Sequence, residues 1–228
     1  MIILTDKIPD LKILNAEYIK IKCLFEAYKS DPKVLFWVQD DNRALISMTD
    51  GNMVIYNNDA NIEELTRFTQ ILSPACIFSD YDTLCQTGHK PKERINIVWR
   101  KADIEGASKG DTLSSKEIYE LLNVSGLSLP EYPYFAVDYC HRLNMGTAKY
   151  FAIENTCAAV SFNFKNLAIM NGIASQKKGY GKVALKAILQ KNYGSEFLVC
   201  CRDSVLGFYE KNGFKHLYYG GYWVKNNE

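Results

Sequence analysis

The stretch Gln176-Lys177-Lys178-Gly179-Tyr180-Gly181 lies between an apolar run over 167–173 and a helix-patterned run over 183–189, so it reads as a glycine-rich turn joining strand to helix. A helix start leaves about four backbone N–H groups without intrahelical partners and carries roughly half a positive charge from the macrodipole. An anion, and a phosphate in particular, is stabilised there. Gly179 and Gly181 carry no Cβ, which lets the backbone approach such a ligand closely.

The composition narrows what the turn can serve. With 228 residues, 26.0 kDa and 47% hydrophobic side chains, the chain can build one large domain or two small ones, and disorder is not expected. Its 27 basic residues face 26 acidic ones without a long run of one sign, so the broad basic footprint of a nucleic-acid binder is missing. The expected partner is a small molecule or a peptide. Seven cysteines (Cys23, Cys76, Cys85, Cys140, Cys157, Cys200, Cys201) include no CxxC pair, and their number is odd, which argues against a disulfide scaffold or a metal site. Cys200 and Cys201 sit in an apolar run and read as small buried side chains. The apolar patch at the start is too short for a secretory signal, and no run approaches the ~20 apolar residues that span a bilayer. These features predict a reduced, cytoplasmic, soluble protein with no membrane role.

Along the chain, the spacing of Ile19, Cys23, Phe25 and Ala27 predicts a helix over 17–28 around a charged face, stopped by Ser30-Asp31-Pro32. Strands are expected over 34–39, 44–48 and 53–56, then a helix over 61–72 and a strand over 75–78. The polar segment Gly88-His89-Lys90-Pro91-Lys92 offers a boundary, giving an N-terminal α/β region over 1–94 and a second domain over 95–228. The second part reads β α α β β β α β α β β, with Ser114 and Glu117 spaced as a capping box and the final strands over 214–219 and 222–224. Both halves share three antiparallel strands, a helix and a strand. This suggests a duplicated architecture, although Asn57 to Asn61, the first half's matching segment, has no glycine. A strand pair near Tyr218 to Trp223 is expected to be exposed and available to a second subunit, so the chain is taken as a monomer or homodimer.

Three families of phosphate-holding turn compete for Gly179-x-Gly181. A P-loop needs a glycine where Gln176 stands and a Ser or Thr where Val183 stands. A dinucleotide-binding turn fits Gly179-x-Gly181-x-x-Ala184, with Asp203 about 20 residues on. That turn, however, starts almost at the strand end, whereas five residues separate Ile173 from Gly179, and too little chain follows Asp203 for further βαβ units.

The third reading joins the turn to Phe208-Tyr209-Glu210-Lys211-Asn212-Gly213-Phe214. Gln176-x-x-Gly179-x-Gly181 resembles the Q/R-x-x-G-x-G/A pyrophosphate loop of the GNAT (Gcn5-related N-acetyltransferase) superfamily, and FYEKNGF resembles that family's signature some 30 residues later. The element order of 95–228 is also similar to the GNAT fold, an α/β (α+β) architecture with a mixed, mostly antiparallel sheet flanked by helices. The resemblance covers a little over half the chain, leaving 1–94 as a possible degenerate GNAT-like repeat. Two departures stand: a register with Lys178 as the basic residue is open beside the one with Gln176, and Arg202 occupies a position where the family commonly has asparagine.

The resemblance implies transfer of an acetyl or other acyl group from acetyl-CoA (acyl-CoA), without a metal, to an amine of a small molecule or peptide by direct attack. It implies cofactor contacts from Gln176, Lys177, Lys178, Gly179, Tyr180, Gly181 and Lys182, a pantetheine contact at Ile173 where two strands splay, and a groove wall at Phe208. Tyr209 would protonate the departing thiolate. A lysine-like amine costs about 4.6 kcal/mol to deprotonate at neutral pH, so a base is expected, with Glu154 first and Asp138, His141 and Asp203 behind it. The acceptor pocket would draw on the loop over 127–134 and on the N-terminal region. A non-catalytic acyl-CoA sensor or interaction module is the alternative.

Overall fold

Phe36 and Trp37 are neighbours in sequence but point to opposite faces of a sheet, as the period of two in a strand requires. Phe36 meets Phe25 edge-on at 5.1 Å between ring centroids, and Trp37 meets Phe68 at 5.3 Å. The strand that carries them, β2 (Leu35–Gln39), is therefore covered on one face by α1 (Ala16–Tyr28) and on the other by α2 (Ile62–Leu72).

The computed structural model describes every residue except 125, 126, 128 and 226–228, and the chain divides into two compact units, Met1–Val98 with the residues from Cys200 onward, and Trp99–Val199. In the first unit β1 (Ile2–Leu4), β2, β3 (Ala44–Thr49) and β4 (Asn52–Asn57) pair antiparallel in sequence order. β5 (Cys76–Asp80) then joins β4 in parallel through α2. Asp80 ends β5 and at once caps α3 (Tyr81–Gln86) by accepting from the Thr83 N–H at 2.8 Å, so no turn residues advertise this short helix in the sequence. β1 likewise escapes a pattern search, being three residues long.

The end of the chain returns to this unit. α7 (Asp203–Lys211) leads into β11 (Lys215–Val224), which is one strand rather than the two expected, and β11 pairs antiparallel with β5, Gly220 opposite Asp80 and Val224 opposite Cys76. On its other side the Lys92 N–H donates to Tyr222 O at 2.7 Å, next to the start of β6 (Glu93–Lys101). The expectation of an exposed strand pair near Tyr218 to Trp223 is thus corrected: this strand lies inside its own sheet, and its backbone groups are engaged by neighbours in the same chain.

The first helix also differs from its sequence reading. Its charged positions do not all face water: Glu17 and Lys22 are as buried as Tyr18, Ile19, Ile21 and Cys23. Lys22 reaches the carboxylate of Asp10 at 2.8 Å and Ile8 O at 3.1 Å, which compensates its burial.

In the second unit β7 (Ala148–Ile153), β8 (Cys157–Phe164) and β9 (Leu167–Ser175) form an antiparallel meander. α6 (Tyr180–Lys191) follows, and β10 (Glu196–Cys201) lies parallel to β9. Residues 157–161 of β8 are all buried because both faces are covered. Ala158 and Val160 join the core beneath α4 (Ser115–Asn123) and α5 (Tyr132–Asn144), while Ser161 accepts from Asn192 Nδ2 at the end of α6. The Ser114–Glu117 capping box forms as its spacing predicts. The result is an α/β fold with mostly antiparallel strand pairing and seven α-helices among the described residues.

Candidate functional site

The glycine turn is built as its sequence suggests. Gly179 is the N-cap of α6 with φ +89°, a conformation that L side chains rarely adopt, and it has no side chain to cap the helix. Gln176 donates its N–H to Thr156 O at 2.8 Å, Tyr180 to Lys177 O at 3.2 Å and Lys182 to Gly179 O at 3.2 Å. The N–H groups of Lys177, Lys178, Gly179 and Gly181 meet no acceptor among the described residues. Tyr180 and the side chains of Gln176, Lys177, Lys178 and Lys182 are exposed, and α6 has no acidic residue in its first turn. Free donors, a helix dipole and three lysines favour a phosphate-bearing ligand.

The start of α2 offers the opposite chemistry. There the Asn61 side chain accepts from the Glu64 N–H and the Asn57 side chain from the Ala60 N–H, and Glu63 and Glu64 occupy the first turn. With the N–H groups of Ala60, Asn61 and Glu64 held by side chains and two carboxylates beside them, this helix start disfavours an anion.

β9 leads into the turn with two irregularities. Its parallel ladder with β10 covers only Leu167–Ile169 opposite Glu196–Leu198, although β9 continues to Ser175. Against β8, Val160 pairs with Gly172 and Ser161 with Met170, so Asn171 is an extra, bulged residue. A bulge takes its backbone out of the ladder and leaves hydrogen-bonding groups for something else. Ile173 is half-buried two residues further on, opposite Ala159. No sequence signal announces Asn171, since a one-residue slip leaves the apolar pattern of a fully buried strand unchanged.

Glu154 is exposed in the turn between β7 and β8. Its N–H donates to Asp111 Oδ2 at 2.7 Å, and Thr156 of the same turn holds the Gln176 N–H, so Glu154 belongs to the end of the meander that carries the glycine turn. The other candidate bases are engaged elsewhere: Asp138 accepts from Arg142 Nε at 2.8 Å, His141 lies in the last turn of α5, and Asp203 accepts from Asn96 Nδ2 at 2.6 Å. In the loop expected to shape an acceptor pocket, residue 128 lies outside the described residues.

Tyr209 and Phe208 belong to the first unit, on α7. Tyr209 is 4% exposed and packs edge-on against Phe208 and Phe214, and Phe208 is half-buried. Burial, with lesser contributions from Cys201 and Cys200, raises the Tyr209 hydroxyl above its ordinary value and keeps it protonated. Burial also pushes the thiols of Cys200 and Cys201 up to about 11 and about 12, so neither is a thiolate at neutral pH. Arg202 stands at the N-cap position of α7 without a side-chain capping bond, and it pairs through Nε with Glu93 at 2.9 Å.

The same unit holds a polar cluster that the sequence reading missed. Glu17 Oε2 accepts from the Tyr218 hydroxyl at 2.6 Å, and that hydroxyl accepts from the Ala16 N–H at 2.8 Å. Oε1 of Glu17 is buried and has no hydrogen-bond partner among the described residues. Burial raises the Glu17 carboxyl to about 7, the Tyr218 hydrogen bond opposing it. Lys20, one turn on, stands over the Phe78 ring at 4.7 Å; burial works against its ammonium, but Tyr222, Cys200 and Glu17 hold it above the ordinary lysine value. A Glu and a Lys three apart on a helix look solvated in sequence; only the Gly220-Gly221 pair inside a strand hints that something approaches closely there.

No family model matches the chain, and no curated protein matches it in sequence. Solved structures are similar in fold. A tandem GNAT protein from the clavulanic acid biosynthesis pathway matches with TM-score 0.52 and 9% identity over 89% of this chain and 86% of that one. A GCN5-related N-acetyltransferase from Sphaerobacter thermophilus matches at 0.51 and 11% identity over 85% and 80%, and a functionally unknown conserved protein from Staphylococcus epidermidis at 0.52 and 9% over 84% and 94%. At such identities the likeness is one of fold, and the fold is that of GNAT acetyltransferases.

Proposed function

We propose that this chain is an N-acyltransferase that takes an acetyl or longer acyl group from acyl-CoA and delivers it to an amine of a small molecule or peptide. The observation that carries the reading is the start of α6, where four backbone N–H groups lack acceptors among the described residues, beside a Cβ-free Gly179. Those donors fit a pyrophosphate, with Lys177, Lys178 and Lys182 adding screened attraction. The Met170–Ser175 edge of β9, beyond its short ladder, fits a pantetheine arm that bonds as an added strand would, and Ile173 lies on it. Acyl-CoA would supply the activated thioester; Tyr209, held protonated, would donate to the leaving sulfur. Residues 57–61, with their capped and acidic helix start, support reading the N-terminal half as a GNAT-like repeat that binds no phosphate.

Calorimetric titration with acetyl-CoA and a thiol-release assay over a panel of amines test this. Binding with turnover is expected, and Tyr209→Phe should lower kcat while leaving CoA affinity within about twofold. Tight binding without thiol release on any amine would replace the enzyme with an acyl-CoA sensor, a reading the Arg202–Glu93 pairing favours because it engages the residue at the family's expected asparagine position.

A further inference from the structure

Gly172 leaves a gap in the face of β9 that packs beneath α4 and α5, and two leucines close it. On this face stand Gly172, paired with Val160, and Ala174, paired with Ala158. Met170 and Ile173 pair with Ser161 and Ala159 and so point to the opposite face. A Cβ built on Gly172 would stand 3.3 Å from Leu127 Cδ1 and 3.4 Å from Leu122 Cδ2. Carbon atoms pack best at about 3.5–4.0 Å, so the space over Gly172 holds about one carbon atom and no more. Leu122 is fully buried in one cluster with Phe135, Tyr139 and Val160, and Leu127 is half-buried against that cluster. A close-packed side chain such as Leu122 does not yield cheaply to added carbon.

We propose that Gly172, Leu122 and Leu127 set the length of the acyl group, so that the chain takes acetyl and excludes butyryl and longer chains. This rests on the acyltransferase reading, and all three residues belong to the unit that carries the start of α6. Between the pyrophosphate and the sulfur of acyl-CoA lie about a dozen bonds, and an extended chain covers about 3.5 Å for every three of them, so the arm reaches roughly 14 Å. Strand residues rise about 3.3 Å each, which makes that reach about four residues. An arm that leaves the glycine turn at Gln176 and runs back along the open edge of β9 therefore ends at the Asn171 bulge and Gly172. On one face the thioester then meets the side chains of Met170 and Ile173; on the other, only Gly172 leaves room. An acetyl methyl fits over Gly172, whereas the further carbons of a longer chain meet Leu127 and Leu122.

Calorimetric titration of the full chain with CoA, acetyl-CoA, butyryl-CoA and hexanoyl-CoA tests this without an acceptor amine. Acetyl-CoA should bind at least as tightly as CoA, and butyryl-CoA and hexanoyl-CoA about tenfold or more weakly than acetyl-CoA. In Leu122→Ala and Leu127→Ala the affinity for butyryl-CoA relative to acetyl-CoA should rise about tenfold. Gly172→Ala, at a position without positive φ, puts its own Cβ where the methyl would lie, so acetyl-CoA should lose about tenfold against CoA. A merely structural defect weakens all four ligands alike and leaves these ratios in place. Hexanoyl-CoA binding the wild-type chain as tightly as acetyl-CoA would overturn the assignment. If Leu122→Ala does not fold, unmoved ratios in Leu127→Ala and Gly172→Ala would do so equally. Failure of all four ligands to bind, CoA included, would remove the acyl-CoA reading itself and the assignment with it, whereas binding of CoA and acetyl-CoA without discrimination against longer chains removes the assignment alone.

Discussion

The Tyr218 hydroxyl donates to the Glu17 carboxylate at 2.6 Å although 201 residues separate them. This contact ties the last strand to the first helix, and it places a carboxyl that titrates at about 7 in the interior of the first unit.

That titration should be visible in stability. The folded Glu17 holds its proton more tightly than an unfolded glutamate with its value of 4.5, so its favourable contribution is complete below about pH 4.5 and is lost as pH rises through about 7. The change is on the order of 3 kcal/mol at most. Urea unfolding at pH 5 and pH 8.5 should show Glu17→Gln near wild type at the lower pH and more stable than wild type at the higher one. Equal pH dependence in the two proteins would mean that the carboxyl is not raised.

Gly179→Ala meets no atom within 4 Å of its new Cβ, but the backbone there has φ +89°. The expected cost is therefore strain alone, about 1 kcal/mol. If the turn holds the pyrophosphate, acetyl-CoA affinity should fall more than stability does, which calorimetry beside urea unfolding would reveal.

Gly110 is constrained by space instead. A Cβ at this position would sit 2.6 Å from Ala152 O and 3.0 Å from the Phe151 ring, while the Asp111 N–H already donates to that same carbonyl at 2.9 Å. Backbone must move to admit it, so Gly110→Ala should destabilise by roughly 1–3 kcal/mol, larger than Gly179→Ala. A melting temperature within a degree of wild type would show that the segment yields freely.

Ser114 closes α4 by accepting from the Glu117 N–H at 3.3 Å while the Glu117 carboxylate accepts from the Ser114 N–H at 2.8 Å. Ser114→Ala should cost about 1 kcal/mol. Because the hydrogen bonds to Ser114 hold the Glu117 carboxyl below its ordinary value, part of that difference should vanish as pH falls through the Glu117 titration.

The glycine turn, the capping box and most strands and helices were legible because each is written in neighbouring residues: a φ only glycine adopts easily, a Ser and a Glu three apart, an apolar period of two or of 3.6. Tyr209 was legible as part of a contiguous signature, though its 4% exposure was not. β1 and α3 were lost because they are short and lack turn chemistry of their own.

By itself, then, the sequence determined the local chemistry: an uncapped helix start with lysines around it at 176–182, and its acidic, side-chain-capped counterpart at 57–64. Tertiary structure alone decided that β11 would lie beside β5, that Asn171 would bulge from β9, and that Glu17 would be buried against Tyr218. The physical reason is that strand partnership and the burial of a charge depend on groups distant in sequence. No local period records which backbone a strand will bond, or whether water will still reach a carboxylate once the chain has closed around it.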